Sequence, residues 1–225
     1  LVLSMMVAVA GCSKDEDPVD LSSVPPLPIV VFRGPITAST HTEAQKVKAI
    51  VAELNGFTTS FNAFSNVRPT VSGETYSWTL TESGLTVRLV ATKQPDGGYA
   101  WKLILNGRDN VSGETYNNWT AFEGTVDAAR TNATWFIYND NTTTKSSDLI
   151  WTISSNGSLV GTLNKYSNGV LSGQTLLTDN LSGTGEVRLI QNSLLTYRAI
   201  WLSSGNGQYW YYDPSGQITS QGTWS

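Results

Sequence analysis

The sequence predicts a mainly all-β fold: an antiparallel up-and-down meander of about ten to thirteen strands, curled into a barrel or half-barrel and preceded by one N-terminal amphipathic helix. Period-two patterning is the first sign. From Val71 onward apolar residues fall at alternate positions, as in YSWTL (Tyr76, Trp78, Leu80), GLTVRLVA (Leu85, Val87, Leu89, Ala91) and YAWKLIL (Tyr99, Trp101, Leu103, Leu105). Similar runs surround Trp135, Trp151, Leu163, Val187, Trp201 and Trp210. The second sign is punctuation by turn-forming residues: ESG (82–84), QPDGG (94–98), SSNG (154–157), YSNG (166–169), SGNG (204–207) and DPSG (213–216). The third is composition. In 225 residues, 40% hydrophobic and 14% charged, the 8 Trp and 9 Tyr suit one substantial core built from strands. That many strands in one sheet must curl or close.

Taken in order, residues 1–11 (LVLSMMVAVAG) have the length of a signal-peptide apolar region and are too short for a membrane span, which needs roughly 20 residues. They read as a truncated signal peptide. The residues that follow, VAGC (Val9, Ala10, Gly11, Cys12), resemble the lipobox of bacterial lipoproteins, in which an apolar residue and two small ones precede the cysteine. The resemblance implies lipid transfer to the Cys12 thiol, cleavage after Gly11 and acylation of the new amino terminus. Several acyl chains hold a protein at a bilayer almost permanently, because each buried CH₂ is worth about 0.8 kcal/mol. The lipid bilayer is therefore an expected partner, reached through acylated Cys12. Ser13 differs from the aspartate that retains lipoproteins in the inner membrane of enteric bacteria, which favours the outer membrane. SKDED (13–17) resembles the acidic signal that sends lipoproteins of the Bacteroidetes to the cell surface. Surface and periplasmic orientations both stay open.

Residues 12–37 read as a tether. Between Lys14 and Pro35 lie four acidic residues and five of the eight prolines (Pro18, Pro25, Pro26, Pro28, Pro35), a mixture suited to an extended, partly polyproline spacer. The single folded domain then spans 38–225. It opens on THTE (40–43), a capping box with Thr40 as N-cap and Glu43 reaching back. Ala44, Val47, Ile50, Val51 and Leu54 follow at helical spacing, and Asn55-Gly56 is the expected stop. Phe57, Phe61 and Phe64 extend the stripe into a second short turn before Pro69.

Internal repetition is also visible. VSGETY occurs at 71–76 and again at 111–116, and at an offset of 100 Ser72, Gly73, Thr75, Val87, Arg88, Leu89 and Trp101 recur as Ser172, Gly173, Thr175, Val187, Arg188, Leu189 and Trp201. Both true duplication and shared turn chemistry account for such matches.

Charge and chemistry narrow the function. A net charge of −4 offers no basic surface for a phosphate backbone, so nucleic acid is not an expected partner. One Cys and one His exclude disulfide frameworks, Cys/His zinc clusters and Cys-His dyads within the fold. No GxSxG, HExxH or phosphate-binding glycine loop occurs. His41 lies in the first helical turn and reads as a solvated residue. Glu74, Glu114, Glu123, Asp127, Asp148 and Glu186 are the carboxylates from which a glycosidase pair would have to come, and turn or strand-edge solvation accounts for each. YNDNTTTKSSD (138–148) holds the oxygen donors Asp140, Asn141 and Asp148 but lacks the alternation of a calcium loop. No catalytic residue, metal site or cofactor is assigned. In GQYWYYDPSG, Tyr209 and Tyr211 point to one side of a strand and Trp210 and Tyr212 to the other. Trp210 and Tyr212 are the candidate ligand-binding surface, a platform for sugar rings or apolar groups.

A helix followed by a many-stranded antiparallel sheet on a lipid anchor resembles the lipoprotein-carrier and lipoprotein-insertase proteins of the outer-membrane localisation pathway, and also lipocalins; YWYYDPSGQIT (209–219) is similar to a carrier hairpin. The expected function is a non-catalytic lipoprotein of the outer membrane or cell surface, binding an apolar or glycan ligand on or in a curved sheet. A structural or adhesive surface module is the alternative, and a carboxylate-based glycan hydrolase the third reading. An apolar interior cavity above roughly 300 Å³ favours the carrier, and a packed centre favours the module.

Overall fold

The computed structural model describes residues 23–35 and 39–225. One helix, α1 (Thr42–Thr59), runs into a 3₁₀ turn (Ser60–Phe64), and thirteen strands follow. These are β1 (Thr70–Ser72), β2 (Thr75–Glu82), β3 (Leu85–Lys93), β4 (Tyr99–Arg108), β5 (Thr115–Val126), β6 (Asn132–Tyr138), β7 (Lys145–Ile153), β8 (Leu159–Ser167), β9 (Val170–Asp179), β10 (Gly185–Gln191), β11 (Leu194–Trp201), β12 (Gly207–Tyr212) and β13 (Ile218–Trp224). They form one 13-stranded sheet in strict chain order, every neighbouring pair antiparallel, with β1 and β13 as its two edges. The sheet curls without closing, which is the half-barrel form of the expected meander.

The hairpins explain how the sequence sets this order. Five of them share one loop: Gln94–Gly98, Ser154–Ser158, Asn180–Thr184, Leu202–Asn206 and Asp213–Gln217. In each, the first residue's N–H reaches the carbonyl of the fifth, and the fourth residue, always Gly (97, 157, 183, 205, 216), donates back to the first residue's carbonyl. All five glycines have positive φ, between 77° and 89°, the conformation that costs a Cβ-bearing residue most. Three tighter hairpins place both turn residues at positive φ: Ser83-Gly84, Asn168-Gly169 and Asn192-Ser193.

Recurring turn chemistry also accounts for the internal repetition. The first VSGETY forms the β1–β2 turn and the second the β4–β5 loop, with Gly73 and Gly113 both at positive φ. The offset of 100 lays β3 on β10, seven strands along an antiparallel meander and so running in opposite directions. Gly73 turns a hairpin whereas Gly173 sits inside β9.

The inner face of the sheet carries the core, and α1 lies against it. Trp78, Trp101, Trp135, Trp151 and Trp201 are all buried on this face, as their phase predicted. Ala44, Val47, Val51 and Leu54 of α1 are buried against them, and Ile50 is half-buried. One helix touches strands across most of the sheet. Phe57 of α1 and Phe61 of the following 3₁₀ turn pack edge-on against Phe122 of β5 and tilted on Trp135 of β6, with ring centroids 5.0–5.6 Å apart. Glu53 pairs with Lys165 of β8, and Glu43 and Lys46 meet Tyr211 of β12. The sheet therefore wraps around the helix and fills its own hollow with it.

Close helix and ring packing is made possible by inward glycines facing aromatic residues. Gly124 lies opposite Trp135, Gly161 opposite Trp151, Gly185 opposite Trp201 and Gly207 opposite Trp224. The Trp135, Trp201 and Trp224 rings occupy the space that a Cβ on their glycine partners would need, while Phe32 and Leu54 take that space at Gly161.

Three local expectations are corrected. The N-cap is His41, not Thr40: the His41 Nδ1 accepts the Glu43 N–H at 3.2 Å, and Glu43 turns away to Tyr211 instead of closing a capping box. The helix does not stop at Asn55-Gly56 but continues to Thr59, because the Asn55 side chain is bonded elsewhere and Gly56 keeps a helical conformation. Residues 24–35 form no helix or strand, as proline predicted, yet they are no free tether. Phe32 is 1% exposed, Arg33 is paired to Asp179 and the Val30 carbonyl accepts the Thr58 hydroxyl. Their partners are far away in sequence, so local composition gave no sign of them.

Candidate functional site on the outer face

With the inner face filled, the chemistry available to a ligand lies on the outer face and the rims. Strand alternation places Glu186 and Arg188 of β10, Arg198 of β11 and Trp210 of β12 on the outer face. Across it, one row of directly opposed residues runs Leu176, Arg188, Arg198, Trp210, Gln221. The next row runs Thr178, Glu186, Ile200, Gln208, Thr223. Trp210 and Tyr212 are half-buried, and their inward neighbours Tyr209 and Tyr211 pack on the core, so the two sides of β12 separate as the sequence predicts.

The arginines are built in, not loose. The Glu186 Oε1 accepts the Nε–H of both Arg188 and Arg198 at 2.6 Å. Burial works against ionisation of Glu186, but these two bonds outweigh it and hold the carboxyl below its usual range. Arg198 lies over the Trp210 ring, 5.2 Å from its centroid, a cation–π arrangement that fixes both side chains. The bond to Glu186 raises Arg188, and Tyr212 is near enough to add to the effect. The result is a platform of two aromatic side chains beside two guanidinium groups and a single carboxylate. Arg188 and Arg198 were not selected from the sequence. Each looks like an ordinary outward charge in its own strand, and only strand register sets them side by side.

The remaining carboxylates fall into separate structural networks. Glu74 and Glu114 are exposed in turns. Glu123 accepts the Tyr138 hydroxyl at 2.7 Å and pairs with Lys102 at 3.1 Å, and its proximity helps push the Tyr138 phenol, already raised by burial, up to about 12. Asp148, 4% exposed, accepts from Asn164 (2.7 Å) and Tyr166 (2.6 Å) and pairs with Lys145, which sits over the Phe136 ring. It belongs to β7, away from Asp140 and Asn141 in the loop before that strand, so the three oxygen donors of 138–148 are divided. Among the described residues no three His, Cys, Asp or Glu side chains stand together as a ligand set. His41 is exposed at the helix start, its ring 6.0 Å from Tyr209.

Two open grooves also lie on the surface. One, of about 670 Å³, lies at the rim where Thr40 and His41 face Leu202, Gln208, Thr223 and Trp224. The other, of about 450 Å³, lies outside β1–β4 and includes Arg88, Val90, Lys102 and Ile104. Both have polar and apolar walls and neither is an enclosed apolar cavity. Cys12 and the rest of the lipobox lie outside the described residues. No protein-family model matches the chain, and comparison with curated proteins finds no match.

Proposed function

We propose that this chain is a lipid-anchored, non-catalytic protein of the bacterial outer membrane that binds a glycan on the outer face of its curled sheet, at Trp210 and Tyr212. The observation that carries the proposal is the pairing of this aromatic platform with the fixed guanidinium of Arg198, on a face that the core does not use. Aromatic faces receive the C–H surfaces of sugar rings, and rigid polar neighbours set their orientation. The helix-filled inner face counts against an apolar cargo held inside, and by the same token it favours the second reading, a structural or adhesive surface module without a small-molecule pocket. The anchor rests on VAGC and Cys12, and a ligand on the outer face stays reachable from a tethered position.

A panel of oligosaccharides titrated against the protein, followed by calorimetry and Trp fluorescence, tests the binding reading. Binding that W210A reduces about tenfold or more supports it, and a panel with no binder overturns it. Mass spectrometry of the protein extracted from membranes tests the anchor: acyl chains on Cys12 are expected, and an unmodified Cys12 refutes it.

A further inference from the structure

We infer that the glycan is acidic, with a sugar carboxylate received by Arg188 and Arg198 beside Trp210. This rests on the glycan reading and names its ligand class.

Arg188 and Arg198 stand directly opposite each other on neighbouring strands. Like charges in that position repel, and the sheet offers only partial relief. Glu186 is the one carboxylate in the two opposed rows that cross β9–β13, and it brings one negative charge to two positive ones. Its Oε1 engages both arginines through Nε, so the terminal Nη groups make no hydrogen bond to any described residue. The side chains are 47% and 35% exposed, open to a ligand without being free to wander. Arg198 is held by the Trp210 ring, 5.2 Å from its centroid, and by the Glu186 carboxylate, and Arg188 by the same carboxylate. Two pre-oriented guanidinium groups with unused N–H donors match the two oxygens of a carboxylate, which takes such bonds in parallel pairs. A neutral sugar ring stacked near Trp210 leaves the excess charge uncompensated. A uronic acid ring satisfies both requirements at once, its ring on the aromatic side and its carboxylate on the arginines. Ordering cost is small because both arginines are already in place.

The test compares oligomers of galacturonate, glucuronate and mannuronate with the same chains after reduction of their carboxyls to neutral hexose, titrated against the wild-type chain. The acidic form of at least one oligomer is expected to bind about tenfold or more tighter than its reduced counterpart. Its affinity falls as salt rises, while that of the neutral chain does not. R198Q and R188Q lose the preference for acid, and W210A weakens both forms. Equal affinity of every binding acidic oligomer and its reduced counterpart overturns the acid inference and leaves the glycan reading standing. Failure of every acidic and neutral chain to bind, in this set and in the wider panel, overturns both. The ligand comparison uses unaltered protein, so a variant that folds poorly does not decide the outcome.

Discussion

The carboxamide of Asn55 closes a two-point bridge on the backbone of Phe32: its Oδ1 accepts the Phe32 N–H and its Nδ2 donates to the Phe32 carbonyl, both at 2.8 Å. A side chain of the helix thus stands in for a neighbouring strand and pins the preceding segment. N55A leaves two part-buried backbone groups unpaired and is expected to cost about 1–3 kcal/mol. F32A empties the space over Gly161 and is expected to cost about 3–5 kcal/mol. Urea unfolding followed by Trp fluorescence measures both, and an unchanged midpoint in either variant means that residues 24–35 act only as a spacer.

Two glycines predict opposite outcomes from the same substitution. At Gly185 an added methyl meets the Trp201 ring and the Thr178 carbonyl, so G185A is expected to destabilise by about 1–3 kcal/mol. Gly56 lies exposed within α1 with nothing within 4 Å of its would-be Cβ, so G56A is expected to stabilise by about 0.5–1 kcal/mol. Thermal unfolding of the two variants beside the parent reads both signs.

The Tyr211 hydroxyl sits within hydrogen-bond distance of both Glu43 oxygens (2.9 and 3.0 Å) and accepts from the Lys46 Nζ at 3.0 Å. Burial of Lys46 lowers its pKa, and Glu43 opposes the shift. Removing the hydroxyl in Y211F deprives a buried carboxylate and a partly buried ammonium of their shared partner, at an expected cost of about 1–3 kcal/mol. Y212F, on the other side of the same strand, is expected to stay within about 0.5 kcal/mol. Equal effects in chemical unfolding would refute the assignment of the two faces.

Asp127 gives the acid limb of stability. Desolvation raises its pKa, but hydrogen bonds from the side chains and backbone of Asn132 and Thr131 prevail and bring it down to about 2. An unfolded aspartate titrates near 3.9. With the folded value depressed, the stabilisation is present above about pH 4 and is lost as the pH falls from there towards 2. D127A is therefore expected to be less stable than the parent at neutral pH, with the gap narrowing across that window. Unfolding midpoints measured between pH 7 and pH 2 check this, and a gap constant with pH contradicts it.

Most of the architecture was legible because it rests on local periodicity. Alternation identified the buried faces of Trp78, Trp101, Trp135, Trp151 and Trp201, and the spacing of Val47, Val51 and Leu54 identified the helix. Where side chains form long-range bonds, local rules gave the wrong answer. Asn55 looks like a helix terminator, but its amide is committed to Phe32, and Glu43 looks like half of a capping box, but its carboxylate is committed 168 residues away to Tyr211. His41 displaced Thr40 because an imidazole Nδ1 accepts the same N–H that a hydroxyl would. At the candidate site, period two separated Trp210 and Tyr212 from Tyr209 and Tyr211. The adjacency of Arg188 and Arg198 depends on how β10 and β11 slide against each other, with a bulge between Leu189 and Ile190, and no residue in either strand announces that register.

Because each strand pairs only with those next to it in the chain, hairpins can zip successively without waiting for distant segments, which is the kinetic advantage of low contact order. The helix reverses that logic. It is made first, yet its acidic and basic residues find Tyr211 only when the penultimate strand arrives. During synthesis the amphipathic helix must therefore await its wrapping, and until the last strands pair its greasy stripe stays uncovered.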